Sequence, residues 1–174
     1  MKKLSESIWR DIQDRSTGEQ VRREDELTNI KDIKPVDMGV SVLWADKDLE
    51  TKDGNFYFTY KEAEDYIKKS GWRLPSKNEI HQLIGYTKVI KNTDEVFIIE
   101  GDFDNAPQLI FNKKGYMFAD SNSVFALHQY MSWTSSKSSS AYDTHWMNVF
   151  KEHTSMQPMD DYNKICVRLV KDRN

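Results

Sequence analysis

Two short stretches, Thr59-Tyr60-Lys61-Glu62 and Ser76-Lys77-Asn78-Glu79, each set a hydroxyl residue three positions ahead of a glutamate. In that arrangement the hydroxyl accepts from the third amide of a helix while the carboxylate returns to the amide of the cap, so each stretch predicts a helix start. Ala63, Tyr66 and Ile67 follow the first at helical spacing, and Ser70-Gly71 stops it. Pro75 fixes the entry to the second, Ile80, Leu83 and Ile84 form its buried stripe, and Gly85 stands near its end. The run Val36-Asp37-Met38-Gly39-Val40-Ser41-Val42-Leu43-Trp44-Ala45 ahead of them is strand-like. Past Gly85 the pattern turns to strands again, over 95–99, 108–112, 115–119, 131–135, 144–150 and 164–170. Strand, helix, helix and then strands predict an α+β domain.

Within that frame, Asn112-Lys113-Lys114-Gly115 reads as a hairpin turn. The run from His145 to Phe150 alternates, which puts Trp146, Asn148 and Phe150 on one face. Residues 132–140 hold six serines in nine positions and predict an exposed, adaptable loop.

Residues 1–34 are of another kind. Leu4, Ile8 and Ile12, with Trp9 beside them, lie on one narrow helical stripe, and Gly18 is a helix stop. So thin a stripe on about 15 residues is marginal alone. It is expected to pack on its own domain, to self-associate, or to dock on a partner. The division is therefore an N-terminal docking helix and arm, 1–34, and a domain, 35–174.

Composition excludes several classes. The 25 basic and 28 acidic side chains give a net charge of −3, without the basic excess of a dedicated nucleic-acid binder. No apolar run reaches the ~18 residues that a bilayer span needs, so no membrane insertion is expected. Glu6, Arg10 and Asp11 interrupt the start, which is not expected to act as a signal peptide. Cys166 is the single cysteine, so no internal disulfide can form, which favours folding in a reducing cytoplasm. Five Trp, eight Tyr and eight Phe are a rich aromatic complement, suited to core and to binding surface alike.

Several of these phrases resemble one family. The run from Val36 to Ala45, the block Tyr57-Phe58-Thr59-Tyr60-Lys61-Glu62-Ala63, and above all Gly71-Trp72-Arg73-Leu74-Pro75-Ser76-Lys77-Asn78-Glu79-Ile80 resemble the Fibrobacter succinogenes major paralogous domain, common in gut Bacteroidetes. Tyr130-Met131-Ser132-Trp133-Thr134-Ser135-Ser136 and the ending Val167-Arg168-Leu169-Val170 continue the likeness, with Leu169 where that family has proline. That family is similar to C-type-lectin-like domains. The resemblance implies two helices near the start, twisted antiparallel strands after them, and domain ends close together. Residues 1–12 also resemble a short leader of gut-phage and Bacteroidetes proteins.

The chemistry that this likeness suggests meets few of its requirements. An enzyme of the formylglycine-generating type needs paired thiolates for copper, and Cys166 sits alone in an apolar run, where a buried inert thiol is expected. Calcium-binding lectins use hard oxygen ligands in Glu-Pro-Asn or Gln-Pro-Asp turns with a Trp-Asn-Asp run. Gln157-Pro158-Met159-Asp160-Asp161 is a near miss and reads as a proline turn, Trp146-Met147-Asn148 lacks the acid, and Asp102 and Asp104 read as a solvated acidic loop. His81, His128, His145 and His153 show no metal-ligand spacing. No catalytic residue, metal or cofactor is therefore assigned. Trp44 and Trp72 are expected in the core, and Arg73 is expected to pair with an acid or a carbonyl.

The expected work is recognition. Leu4, Ile8, Trp9 and Ile12 would dock the chain on other proteins of a bacteriophage particle, assembled in the host cytoplasm, or on a second copy. Tyr142, Asp143, His145, Trp146, Lys151 and His153 would form the face for a host glycan or protein, rigid rings beside adaptable serines. The alternatives are a bacterial binding module of the same family, in the cytoplasm or at the cell surface, and a formylglycine-generating-type enzyme.

Overall fold

The computed structural model describes residues 28–139, 144–150 and 153–174. Both predicted helices form where the capping boxes place them. Helix α1 (Tyr60–Ile67) starts at Thr59, whose hydroxyl accepts from the Glu62 amide at 3.2 Å while Glu62 takes the Thr59 amide at 2.8 Å. Helix α2 (Lys77–Gly85) repeats the arrangement between Ser76 and Glu79, at 3.2 and 2.7 Å. Each start thus satisfies amides that a helix otherwise leaves unpaired.

The rest is mostly antiparallel sheet, which makes the class α+β. Strands β1 (Pro35–Val36) and β11 (Val170–Asp172) flank β2 (Val42–Ala45), so the two ends of this body meet on one strand. Strands β3 (Thr87–Asn92), β4 (Val96–Gly101) and β5 (Gln108–Asn112) form a second sheet, and β6 (Tyr116–Met117) pairs with β7 (Val124–Phe125). The third sheet, β8 (Tyr130–Lys137), β9 (Thr144–Phe150) and β10 (Thr154–Asp160), has β9 at its centre.

That central sheet separates two apolar clusters. Met131, Trp133, Met147 and Val149 pack with Ala63 and Ile67 of α1, together with Leu49 and Phe58. Tyr130 and Phe150 pack on the opposite side with Ile80 and Leu83 of α2 and with Trp44, Phe97 and Phe111. The segment after β10 threads between the two: Ile165, Val167 and Leu169 enter the first cluster, Cys166 and Val170 the second. It is the predicted 164–170 strand in part only. Its backbone partners are shared among Phe58, Arg73, Met117 and Ser132, so β11 proper begins at Val170.

Three sequence expectations are corrected, and one strand was missed. Asn112-Lys113-Lys114-Gly115 is no hairpin, because β5 and β6 belong to different sheets and the segment is a link between them. The described part of the serine-rich stretch is not an exposed loop: 130–137 is strand β8, with Ser132, Trp133 and Thr134 buried. Gln157-Pro158-Met159-Asp160 is not a turn either; it is the second half of β10, in register with Thr144 to Met147. Proline is tolerated there because β10 is an edge strand with one neighbour. Strand β3 was not predicted, since five of its six residues are exposed and show no alternation.

Trp44 is fully buried, and Trp72 packs half-buried against the first cluster. At the boundary placed at 34/35, Thr28, Ile30 and Ile33 are buried, and Ile30 and Ile33 belong to the first cluster. Leu4, Ile8, Trp9 and Ile12 lie outside the described residues.

Candidate functional site

Helix α2 is held over the central sheet at both of its flanks. Arg73, just ahead of it, donates to both Glu79 oxygens at 2.9 and 2.7 Å and to Asp172 of β11 at 2.7 Å. Burial works against the Glu79 carboxylate, but Arg73 and the Ser76 amide outweigh it and hold its pKa below the ordinary range. On the other flank, residues 134–136 of β8 bulge opposite Trp146 of β9. The bulge is pinned there by Thr134 Oγ1, which donates to the Trp146 carbonyl at 2.7 Å. It also reaches α2: Ser135 N donates to the Pro75 carbonyl at 2.8 Å, and Ser136 Oγ accepts from the Lys77 amide at 2.9 Å. The serines are a fastening, which their composition alone did not reveal.

The helix covers β8 and β9 and leaves a groove of ≈ 470 Å³ above β9 and β10. One helical face of α2, carrying Lys77, Ile80, His81 and Ile84, makes one wall; Trp146, Asn148 and Met156 make the floor and far wall. The volume is within the usual range of small-molecule sites, roughly 300–1,000 Å³. Trp146 and Asn148 share this face because they alternate with Met147, which faces the first cluster. Lys77 Nζ stands 3.8 Å from the Trp146 ring centroid, a cation–π contact that holds the ammonium over the groove.

Asn148 is 1% exposed, and its Oδ1 has no hydrogen-bond partner among the described residues. Ser132, directly opposite it on β8, is equally buried, and its Oγ is also unpartnered among the described residues. A buried polar atom left unpaired costs about 1–3 kcal/mol, so native proteins rarely leave one without a water or ligand to take it.

Of the predicted recognition residues that the structure describes, His145 and Trp146 do not share one face. Tyr142, Asp143 and Lys151 lie outside the described residues, and His153 is exposed between β9 and β10. Trp146 lines the groove. His145, its neighbour, points to the other side of the sheet and is buried at 8% exposure, against its expected place on a binding loop. There it stacks on Tyr60 at 3.5 Å between centroids and 9° between planes, and its Nδ1 lies 2.7 Å from Asp161 Oδ1. A second hollow over this pair is lined by Tyr60, Lys61, Glu64, Lys137, His145 and Asp161. Burial, then the charge of Glu64, pushes the Tyr60 hydroxyl far above the ordinary phenol range, so it stays protonated. A histidine oriented by an aspartate supplies two of the three members of a nucleophilic triad, but no serine, threonine or cysteine lines this hollow among the described residues. Lys77, Ile80, Ile84, Asn148 and Met156 were not singled out as site residues. The alternation of β9 placed Asn148 beside Trp146, but nothing local signals that a helix lies over them.

Cys166 is fully buried, and burial drives its thiol far above the ordinary range. Asp102 is paired with Lys88. Among the described residues no three His, Cys, Asp or Glu side chains gather closely enough to hold a metal, and no helix is long and apolar enough to cross a membrane. Comparison of the chain with protein-family models, with curated proteins and with solved structures finds no match.

Proposed function

We propose that this chain is a non-enzymatic recognition protein: a C-type-lectin-like domain over 35–174 that holds its ligand in the groove between α2, β9 and β10. The observation that carries this reading is the unpartnered Asn148 oxygen at the floor of a groove walled by Trp146 and Lys77. The order of two helices followed by antiparallel strands, with β1 and β11 meeting on β2, supports the lectin-like assignment. A glycan microarray probed with the full chain is the direct test. Binding to at least one glycan class is expected, with the Trp146→Ala chain losing about tenfold or more in affinity while melting within a few degrees of the parent. An array without signal, or a variant that binds as well as the parent, would end this reading.

We further propose that the protein is carried on a bacteriophage particle through its N-terminal segment. The leader-like residues 1–12 support this, as does a single cysteine in a chain meant to meet partners outside the cell without disulfides. Because Ile30 and Ile33 belong to the core, the informative truncation removes residues 1–27 only. Particles assembled with that chain are expected to lack it, as read by quantitative mass spectrometry of purified virions. Undiminished incorporation would refute the docking role.

A further inference from the structure

The chain carries a net negative charge, yet the groove does not. Among the described residues that line it, Lys77 and His81 are the ionisable ones, and no aspartate or glutamate is present. These two lie one turn apart on α2, facing the same opening. Among the described residues Lys77 Nζ has no carboxylate partner, and it stands against the Trp146 ring. Arg73, by contrast, is consumed by Glu79 and Asp172. The groove therefore offers a free ammonium at its mouth, an imidazole next to it, an unpaired amide oxygen at its floor, and apolar surface from Ile80, Ile84 and Met156 between them. Thr154, in register with Phe150 and on the same face as Met156, adds a hydroxyl along the β10 side.

A ligand that answers all of these features carries a carboxylate, an N–H or O–H donor a few ångströms away, and a small apolar group. We infer that the groove takes an N-acylated acidic sugar, its carboxylate on Lys77, its amide N–H donating to Asn148 Oδ1 and its acyl methyl against Ile80, Ile84 and Met156. The Thr154 hydroxyl on the β10 side favours a sugar over an acylated amino acid, because a hydroxylated ring uses it where a hydrocarbon side chain would not. Lys77 is pre-positioned for this role, because the Trp146 ring holds its ammonium in place before any ligand arrives. The inference rests on the groove being the recognition site and names what it recognises.

Titration calorimetry on the full chain tests it with five probes: sialyl-lactose, its carboxylate methyl ester, its de-N-acetylated form, lactose, and N-acetyl-phenylalanine. Sialyl-lactose is expected to bind about tenfold more tightly than each of the other four. Lys77→Gln should bring acid and ester to the same affinity. Asn148→Leu, which keeps the side chain's size and removes the acceptor, should bring the acetylated and de-acetylated sugars level. Because it also removes an unpaired polar atom, this variant should melt no lower than the parent. Equal binding of acid and ester by the parent chain would overturn the inference, as would tighter binding of N-acetyl-phenylalanine. If a neutral glycan binds instead and Trp146→Ala abolishes it, the acidic-sugar inference falls and the recognition reading stands. If no saccharide binds at all, on the array or in solution, both fall.

Discussion

Replacing Arg168 with methionine is expected to destabilise the protein by about 3–5 kcal/mol, the range observed when one partner of a buried ion pair is removed. Arg168 is 1% exposed and has no solvent to fall back on. Its Nε donates to Asp48 Oδ1 at 2.7 Å, Nη1 to the Ala45 carbonyl at 3.0 Å, and Nη2 to the Ile110 carbonyl at 2.6 Å. Its guanidinium carbon also stands 4.5 Å from the Phe111 ring centroid. One side chain thus ties β2, β5 and the 45–48 turn to the C-terminal segment. Burial opposes the charged guanidinium, and Asp48 more than restores it, so the group stays ionised. Methionine would fill much of the volume and leave the Asp48 carboxylate nearly bare, with only the Tyr130 hydroxyl, at 2.7 Å, still bonded to it among the described residues. The Arg168→Met, Asp48→Asn pair should therefore recover part of the loss, because removing both charges is far less costly than stranding one. Urea unfolding midpoints read both variants. A single variant within 1 kcal/mol of the parent, on the scale of an ordinary surface substitution, would show that the network contributes little.

The second large effect is expected at Gly115, where alanine should cost about 3 kcal/mol. Gly115 has φ of +68°, a left-handed conformation that already strains any residue with a Cβ. An added Cβ would overlap the Phe125 carbonyl oxygen and stand 3.0 Å from the Ala126 carbonyl carbon. These are backbone atoms and cannot swing aside. The close approach is fixed by the Gly115 amide, which donates to the Gln129 carbonyl at 2.9 Å, and by the Tyr116–Phe125 pairing of β6 and β7. Pushing the strands apart would also disturb the Tyr116, Phe118 and Phe125 ring cluster, whose centroids lie 5.0–5.8 Å apart. Gly85 provides the contrast. It closes α2 with open space around it and without positive φ, so Gly85→Ala should be neutral or stabilising by about 0.5–1 kcal/mol. Thermal melts of the two variants side by side would decide. Equal melting temperatures would remove the steric argument.

The two capping boxes were legible because their signal is local: four consecutive residues satisfy their own amides whatever surrounds them. The same holds for Ala63, Ile67, Ile80 and Leu83 on the buried sides of the helices, though Tyr66 and Ile84 of the predicted stripes are only half-buried, for the alternation of 144–150, and for the lone thiol set in an apolar run. The α+β class follows from them. Local pattern failed where a residue's role depends on something distant in the chain. The serines of β8 look like loop composition until α2 is seen resting on them, and Gln157-Pro158 looks like a turn until β9 is paired with it. Trp146 and His145 were read as parts of one face, but Trp146 lines the groove and His145 is buried on the other side, since adjacent strand residues face opposite ways and only packing decides which side is wall and which is core. Nothing in the sequence says that Asn148 ends up buried with an unpaired oxygen, or that the groove above it contains no described acid. Those facts arise from the placement of a helix that ends at Gly85 over a sheet that begins at Tyr130, and tertiary structure alone settles such a placement.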